Sequence, residues 1–137
     1  MQKEKINNAL GYPTLFSVSI GGFTGSSFSI ENSENGLRYA SFDYGYSLKS
    51  TEEIVPTVEE WQAFKRALDK IGVWEWEHEY PNPGICDGTS WCVKIRWGNM
   101  NVFSHGSNNY PGRDHNSSEF EAFLKAVRKL IGGKAFS

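Results

Sequence analysis

The sequence predicts an α+β fold in which a six-stranded, mainly antiparallel sheet carries two helices on one face. The first observation behind this prediction is a stretch that occurs twice, because residues 60–70 and 119–129 are identical at five of their eleven positions. The second is that alternating apolar and polar side chains, typical of half-buried strands, precede each copy. We therefore interpret residues 1–137 as one domain with a βββα unit present twice, over residues 14–72 and 73–132.

Three strands are predicted in the first half, after a flexible lead-in over residues 1–11. Residues 15–20 and 27–31 alternate apolar and polar side chains, and a third strand over residues 37–44 follows the turn signal Asn35-Gly36. Residues 45–56 are expected to connect this third strand to the first helix as a loop.

Both helices are predicted from large apolar side chains that recur every three or four residues. Thr57 with Glu60, and Asn116 with Glu119, fit the capping box that starts a helix. Each apolar stripe needs a partner surface, because burying one such side chain is worth about 1.5–3 kcal/mol. We therefore expect both stripes to pack on the sheet.

The second half is predicted to repeat the plan, with strands over residues 73–80, 91–97 and 100–105. In the first of these strands, His78 shares the apolar face and glutamates occupy the other face. If this strand lies beside the next, Glu75 and Glu77 pair with Lys94 and Arg96 on the uncovered face of the sheet. We interpret that serine-rich face as solvated, with a protein-binding face as the alternative.

Composition limits the classes of function. Lys and Arg total 14 against 16 Asp and Glu, giving a net charge of −2, and without a basic run we expect no nucleic acid partner. Apolar runs are shorter than the ~20 residues that cross a membrane, so no membrane association is expected. The polar N-terminus predicts a cytoplasmic protein, although a chain whose signal peptide had been removed would have the same pattern.

Four predicted loops emerge at one end of the sheet if strands and helices alternate in direction: residues 21–25, 43–56, 81–90 and 106–116. Long loops on a rigid scaffold often carry function, and Tyr and Arg are enriched in binding hot spots. The candidate binding residues at this loop-rich end are Phe23, Tyr44, Tyr46, Tyr80, Asp87, Tyr110, Arg113, Asp114 and His115. The alternative is that these aromatic side chains only cover the edge of the core.

Cys92 and His105 form the pair that suggests nucleophilic catalysis. A two-residue turn at 98–99 places them opposite each other on the uncovered face, whereas a shift of one residue separates them and buries Phe103. A cysteine nucleophile needs a base and donors for an oxyanion, and the sequence assigns no third group. An enzyme that uses Cys92 or Cys86 with His105 is therefore the alternative hypothesis to a binding protein.

No cofactor or metal is predicted. The His and Cys residues have none of the spacings typical of metal sites, and the glycine-rich residues 21–25 lack the Lys-Ser/Thr of a P-loop. Cys86 and Cys92 can form a disulfide only in an oxidising compartment.

A series of aromatic motifs extends from the first helix to the second: Trp61-x-x-Phe64, Val73-Trp74-x-Trp76-x-x-x-Tyr80, Asp87-Gly88-x-x-Trp91 and Gly106-Ser107-Asn108-Asn109-Tyr110-Pro111. This pattern resembles one found in small bacterial proteins that have no assigned activity, so it implies a fold but no chemistry. Together the patterns predict a small non-catalytic binding module, of the immunity or adaptor kind, acting through the loop-rich end. A homodimer formed through the uncovered face or an edge strand is a further hypothesis.

Overall fold

A single sheet of seven strands organises the chain in its computed structural model, which describes residues 11–22, 25–81, 89–111 and 118–137. In chain order the elements are β1 (Leu15–Gly21), β2 (Ser27–Asn32), β3 (Leu37–Asp43), β4 (Ser47–Ile54), α1 (Val58–Ile71), β5 (Glu79–Tyr80), β6 (Ser90–Trp97), β7 (Met100–Ser107) and α2 (Ser118–Leu130). The strand order is β4-β3-β2-β1-β6-β7-β5, and β5 alone runs parallel to its neighbour. The predicted α+β class and largely antiparallel sheet are confirmed.

One hydrophobic core joins both helices to the same face of the sheet. Phe16 of β1 lies 6.0 Å, ring to ring, from Trp61 of α1, and Trp91 of β6 lies 4.8 Å from Phe120 of α2. Ile20 pairs with Trp91 and lies four residues after Phe16, so all three side chains point to one side of the sheet. Both helices therefore cover this side, as predicted. We call the opposite side the outer face.

The strand β4 replaces most of the loop that was predicted over residues 45–56, so the prediction of six strands was wrong. Its sequence, Ser-Leu-Lys-Ser-Thr-Glu-Glu-Ile, has seven exposed residues and one half-buried residue, and it pairs only with β3 at the edge of the sheet. Alternation of apolar and polar residues marks a strand only where one face is buried. An edge strand with almost no buried face lacks that signal.

The strand predicted over residues 73–80 is present only as β5. Val73–Glu75 form a turn of 3-10 helix, and Trp76 then turns into the core, where its ring lies 5.5 Å from Phe123 of α2. The alternation of tryptophan and glutamate therefore comes from a segment that runs along the edge of the core, and not from a strand that crosses the sheet. The first half thus contributes four antiparallel strands before its helix, and the second contributes a short edge strand and a hairpin.

The capping box predicted for the first helix is present. Thr57 Oγ1 accepts a hydrogen bond from the N–H of Glu60 at 3.1 Å, and Glu60 Oε1 accepts one from the N–H of Thr57 at 2.8 Å. Asn116, the predicted cap of the second helix, lies outside the described residues. Within the described chain, neither helix has the length and apolar character needed to span a membrane.

Candidate functional site

Four connections meet at one end of the sheet. Gly21 pairs with Ser27 on one side and Ser90 on the other, and Ser90 pairs with Ser107, so β1, β2, β6 and β7 have ends at the same level. Ser27 also pairs with Phe42, near the end of β3. The strand ends that flank the predicted loops therefore meet at one end of the sheet, which we call the loop-rich end.

The chain reaches this end by a path that was not predicted. The sequence predicted that the first helix would run from the loop-rich end to the far end of the sheet. Instead, β4 runs to the far end, and α1 runs from there to the loop-rich end. Trp61, in the first half of α1, lies 5.7 Å from Trp97 at the far end of β6. Ile71, the last residue of α1, lines the same groove as Ser118, the first residue of α2. The missed strand β4 and the reversed direction of the first helix offset each other, so the chain still arrives at the predicted end. The predicted loop over residues 43–56 is reduced to the turn Tyr44–Tyr46.

The predicted binding residues that the structure describes do not form one surface. They are Tyr44, Tyr46, Tyr80 and Tyr110. The ring of Tyr110 lies 5.0 Å from that of Phe120, and the ring of Tyr80 lies 5.8 Å from that of Trp91, so both cover the helix side of the core. Tyr44 and Tyr46 remain 65% and 54% exposed. The other predicted site residues, Phe23, Cys86, Asp87, Arg113, Asp114 and His115, lie outside the described residues.

A pocket of about 330 Å³ opens on the outer face at the loop-rich end. Small side chains from adjacent strands form its floor, because Ser19 pairs with Ser29 on β2 and with Cys92 on β6. Phe42 and Tyr46 also line it, and none of its described lining residues is charged. The pocket therefore fits an uncharged, mainly apolar group. Serines at alternate positions of β1 and β2 were the signal for this floor, whereas the sequence predicted a solvated face, with a protein-binding face as the alternative, and no pocket.

Cys92 and His105 lie directly opposite each other on the outer face, in the register that a two-residue turn predicts. The N–H of Asn108 donates to the carbonyl of Thr89 at 2.8 Å, so the Cys92–His105 pair, three positions further along, is a non-hydrogen-bonded pair. The Cα atoms of such pairs are about 4.5 Å apart, which brings the side chains close. The alternative register, with Phe103 buried, is wrong: Phe103 is 49% exposed.

The Cys92 thiol is not in an activating environment. Burial raises its pKa, and the nearby charge of Lys94 offsets only part of that effect. Glu79 pairs with His105 in the parallel register of β5 and β7, so a cysteine, a histidine and a carboxylate follow one another across three strands. Among the described residues, however, no hydrogen bond joins these three side chains. A protonated thiol without a bonded base is a poor nucleophile.

A cluster of cationic and aromatic side chains lies beside the pocket on β6, β7 and the segment before β5. We call Lys94, Arg96, Phe103, His105 and His78 the cationic–aromatic cluster. His78 was predicted on the apolar face, but its ring lies 4.6 Å from Phe103 and 5.1 Å from His105. Its Nδ1 is 3.1 Å from the carbonyl oxygen of Phe103. Lys94 Nζ lies 4.8 Å from the centre of the Phe103 ring. The sequence prediction included only His105 from this cluster as a candidate site residue.

The predicted ion pairs of Glu75 and Glu77 with Lys94 and Arg96 are absent among the described residues. The reason is the strand order, because β6 lies between β1 and β7, so the segment that carries these glutamates is not its neighbour in the sheet. No group of three or more His, Cys, Asp or Glu side chains within the described ranges is arranged to hold a metal ion.

No protein-family model matches the chain, and no curated protein matches its sequence. The pocket, the Cys92–His105 pair and the cationic–aromatic cluster are thus the features from which a function is inferred.

Proposed function

We propose that this protein is a small non-catalytic binding module, of the immunity or adaptor kind, which binds a partner through the outer face at the loop-rich end of its sheet. The observation that carries the proposal is the pocket of about 330 Å³. Binding sites are typically concave and mainly apolar, with a few polar groups that orient the ligand. Serine hydroxyls on the floor and aromatic rings at the side meet that description. An apolar side chain of a partner protein is the group that this pocket fits.

The turn that presents Tyr46 supports the proposal. Tyr46 has a φ of 59°, in the left-handed region that residues other than glycine seldom adopt. Holding such a residue there costs on the order of 1–3 kcal/mol, and strain of this kind is concentrated at functional sites. Leu48, which follows on β4 and pairs with Phe42, is 61% exposed and extends the apolar surface beside the pocket. Tyrosine is among the residue types enriched in the hot spots of protein interfaces.

The alternative function is cysteine catalysis by Cys92 with His105. The cross-strand register supports it, because the two residues lie opposite each other, but the protonated state of the thiol opposes it. Catalysis of this kind needs a thiolate or a base bonded to the thiol, together with donors for an oxyanion. Burial raises the pKa of the Cys92 thiol, so the neutral form predominates at pH 7. The same neutral, half-buried thiol is well suited to the floor of an apolar pocket.

The proposal is tested by filling the pocket and by removing its side wall. Ser29→Trp places an indole on the floor, and Tyr46→Ala removes an exposed ring. Gln62→Trp on the solvent side of α1 and Tyr12→Ala are the matched controls, because both positions are exposed and neither lines the pocket. Far-UV circular dichroism establishes that each variant is folded.

The measurement is quantitative affinity capture from an extract of the native host. We expect partners retained by the wild type and both controls to be depleted at least about tenfold by the two pocket variants, since tenfold corresponds to 1.4 kcal/mol of binding energy. Identical partner profiles for all five proteins would contradict the proposal.

A further inference from the structure

The cationic–aromatic cluster adjoins the pocket and is not explained by packing of the core. Cys92 lines the pocket, and Lys94 and Arg96 follow it at alternate positions of β6, on the same outer face. A ligand group held in the pocket therefore lies beside Lys94, with Arg96 about 6.8 Å further along the same strand. The cluster and the pocket together form one continuous surface across β1, β6 and β7.

The two cations of β6 have no acidic partner in the part of the chain that the structure describes. Neither Lys94 nor Arg96 forms an ion pair among the described residues, and β1 presents Ser17 and Leu15 opposite them. On the other side, β7 presents Phe103 opposite Lys94 and Asn101 opposite Arg96. By contrast, Arg38 on the same face pairs with Glu53 at 3.3 Å.

The nearest carboxylates in the register of the sheet are not positioned to compensate these charges. Glu31 lies two strands from Lys94, because Ser17 separates the two residues across β1. Two strand spacings are about 9.6 Å, roughly one Debye length at 0.1 M salt. Glu79 lies at the edge of the sheet, beside His105. The positive potential over Lys94 and Arg96 is therefore available to an anionic partner.

Phe103 is an exposed ring that its neighbours already hold in place. The Lys94 ammonium group lies 4.8 Å from its centre, the His78 ring 4.6 Å and the His105 ring 6.1 Å, while 49% of the residue remains exposed. A group that is ordered before binding loses little conformational entropy when the partner arrives. Exposed, preorganised aromatic residues are typical hot spots of interfaces.

We propose that the cationic–aromatic cluster docks an acidic segment of a partner protein, whose carboxylates pair with Lys94 and Arg96 while an apolar side chain packs on Phe103. This inference deepens the proposed function and depends on it. Alternate residues of a strand are about 6.8 Å apart, which is also the spacing of alternate residues in an extended peptide. Acidic residues at positions i and i+2 of such a segment therefore match the two cations. Nucleic acid fits less well, because two cations give few phosphate contacts and the chain has a net charge of −2.

The probe for this site is a phage-displayed library of random twelve-residue peptides, selected on the immobilised 137-residue protein. Enriched peptides are synthesised with a fluorophore and titrated by fluorescence anisotropy against wild type, K94Q/R96Q, Phe103→Ala and Ser29→Trp. The controls are R66Q/K125Q, which removes one arginine and one lysine from exposed positions on the helices, and Val55→Ala, which shortens an apolar side chain that is 67% exposed.

We expect the enriched peptides to carry acidic residues at alternate positions beside an apolar residue. Their affinity should fall at least tenfold for K94Q/R96Q, fall severalfold for Phe103→Ala and stay unchanged in both controls. It should also fall between low and high salt, since exposed charge pairs are screened.

The inference is overturned if no peptide is enriched, if the enriched peptides lack acidic residues, or if K94Q/R96Q binds them as tightly as R66Q/K125Q does. A twelve-nucleotide single strand of DNA that binds more tightly than the peptides, and loses affinity in K94Q/R96Q, would replace the protein partner with a nucleic acid. Peptides that lose affinity only for Ser29→Trp would support the proposed function and reject this inference. Peptides unaffected by every variant would reject both.

Discussion

Replacing Gly106 with alanine is expected to destabilise the protein by about 1–3 kcal/mol through overpacking. Gly106 lies on β7 opposite Trp91 of β6, on the helix side of the sheet. A Cβ atom at position 106 would lie 2.6 Å from the carbonyl oxygen of Asn109 and 2.7 Å from Trp91 Nε1. Neither group is the far end of a flexible chain, so the backbone or the indole must move.

The groups that the new methyl would displace are bonded to each other. Trp91 Nε1 donates a hydrogen bond to the Asn109 carbonyl at 2.9 Å, and such a bond contributes about 0.5–1.5 kcal/mol. The Trp91 ring is 3% exposed and lies 4.8 Å from Phe120, so its displacement also disturbs the packing of β6 on α2. The expected destabilisation is therefore large compared with that of a typical surface substitution.

Urea unfolding followed by far-UV circular dichroism measures the effect. Gly25→Ala is the matched control, because no described atom outside its two chain neighbours lies within 4 Å of a Cβ at that position, and its free energy of unfolding should stay within about 0.5 kcal/mol of the wild type. Adding Trp91→Phe to Gly106→Ala should cost less than the sum of the two single changes, because the smaller ring leaves room for the methyl. A Gly106→Ala protein as stable as the Gly25→Ala protein would refute this account of Trp91 packing.

Three further predictions concern a helix cap, a thiol and a buried phenol. Thr57→Ala should lower the free energy of unfolding by about 1 kcal/mol, because it removes the side-chain acceptor of the capping box; urea unfolding with no loss would contradict that bond. In a Cys86→Ser background, Cys92 should react with iodoacetamide more slowly than free cysteine at pH 7, because burial raises the pKa of its thiol. The labelling rate should continue to rise with pH beyond 9.0, the ordinary pKa of a cysteine thiol. Rapid labelling at pH 7 would favour the catalytic alternative. Burial raises the pKa of Tyr39 above its ordinary 10.0, so the unfolded chain releases this proton first and stability should fall as the pH rises from about 10 through the folded-state pKa. Alkaline thermal melts should show a smaller decline for Tyr39→Phe, and an equal decline would exclude Tyr39 as a contributor.

Local sequence patterns were sufficient to predict those elements in which one side of a single segment is buried against the core. The helix α1, its capping box and the two-residue turn between β6 and β7 all follow from residues close together in the chain. The shared core of both helices was also predictable, because each apolar stripe needs a surface to cover it. In the same way, alternation along β1 identified which of its side chains enter the core.

Local patterns did not predict the edge strands, nor the face of the sheet on which each of the loop tyrosines lies. β4 has almost no buried face, so its sequence resembles a loop, and the segment after Gly72 follows the core edge instead of crossing the sheet. Tyr80 and Tyr110 were grouped with Tyr46 because their loops share one end of the sheet. The structure places the first two against the core under the helices and Tyr46 beside the outer pocket.

The sequence by itself determined β1, β6, α1 and α2, the face that each turns to the core, and the end of the sheet where the connections gather. It did not determine the path of residues 73–80, whose periodic pattern predicted a full strand. Only the tertiary structure decided that β6 lies between β1 and β7, which brings Ser19, Ser29 and Cys92 into one pocket floor and leaves Lys94 and Arg96 without the glutamates expected beside them. The physical reason is that periodicity records how deeply a side chain is buried, which is a local property. The neighbours of a strand depend instead on how distant segments pack, and the outer face is assembled entirely from such neighbours.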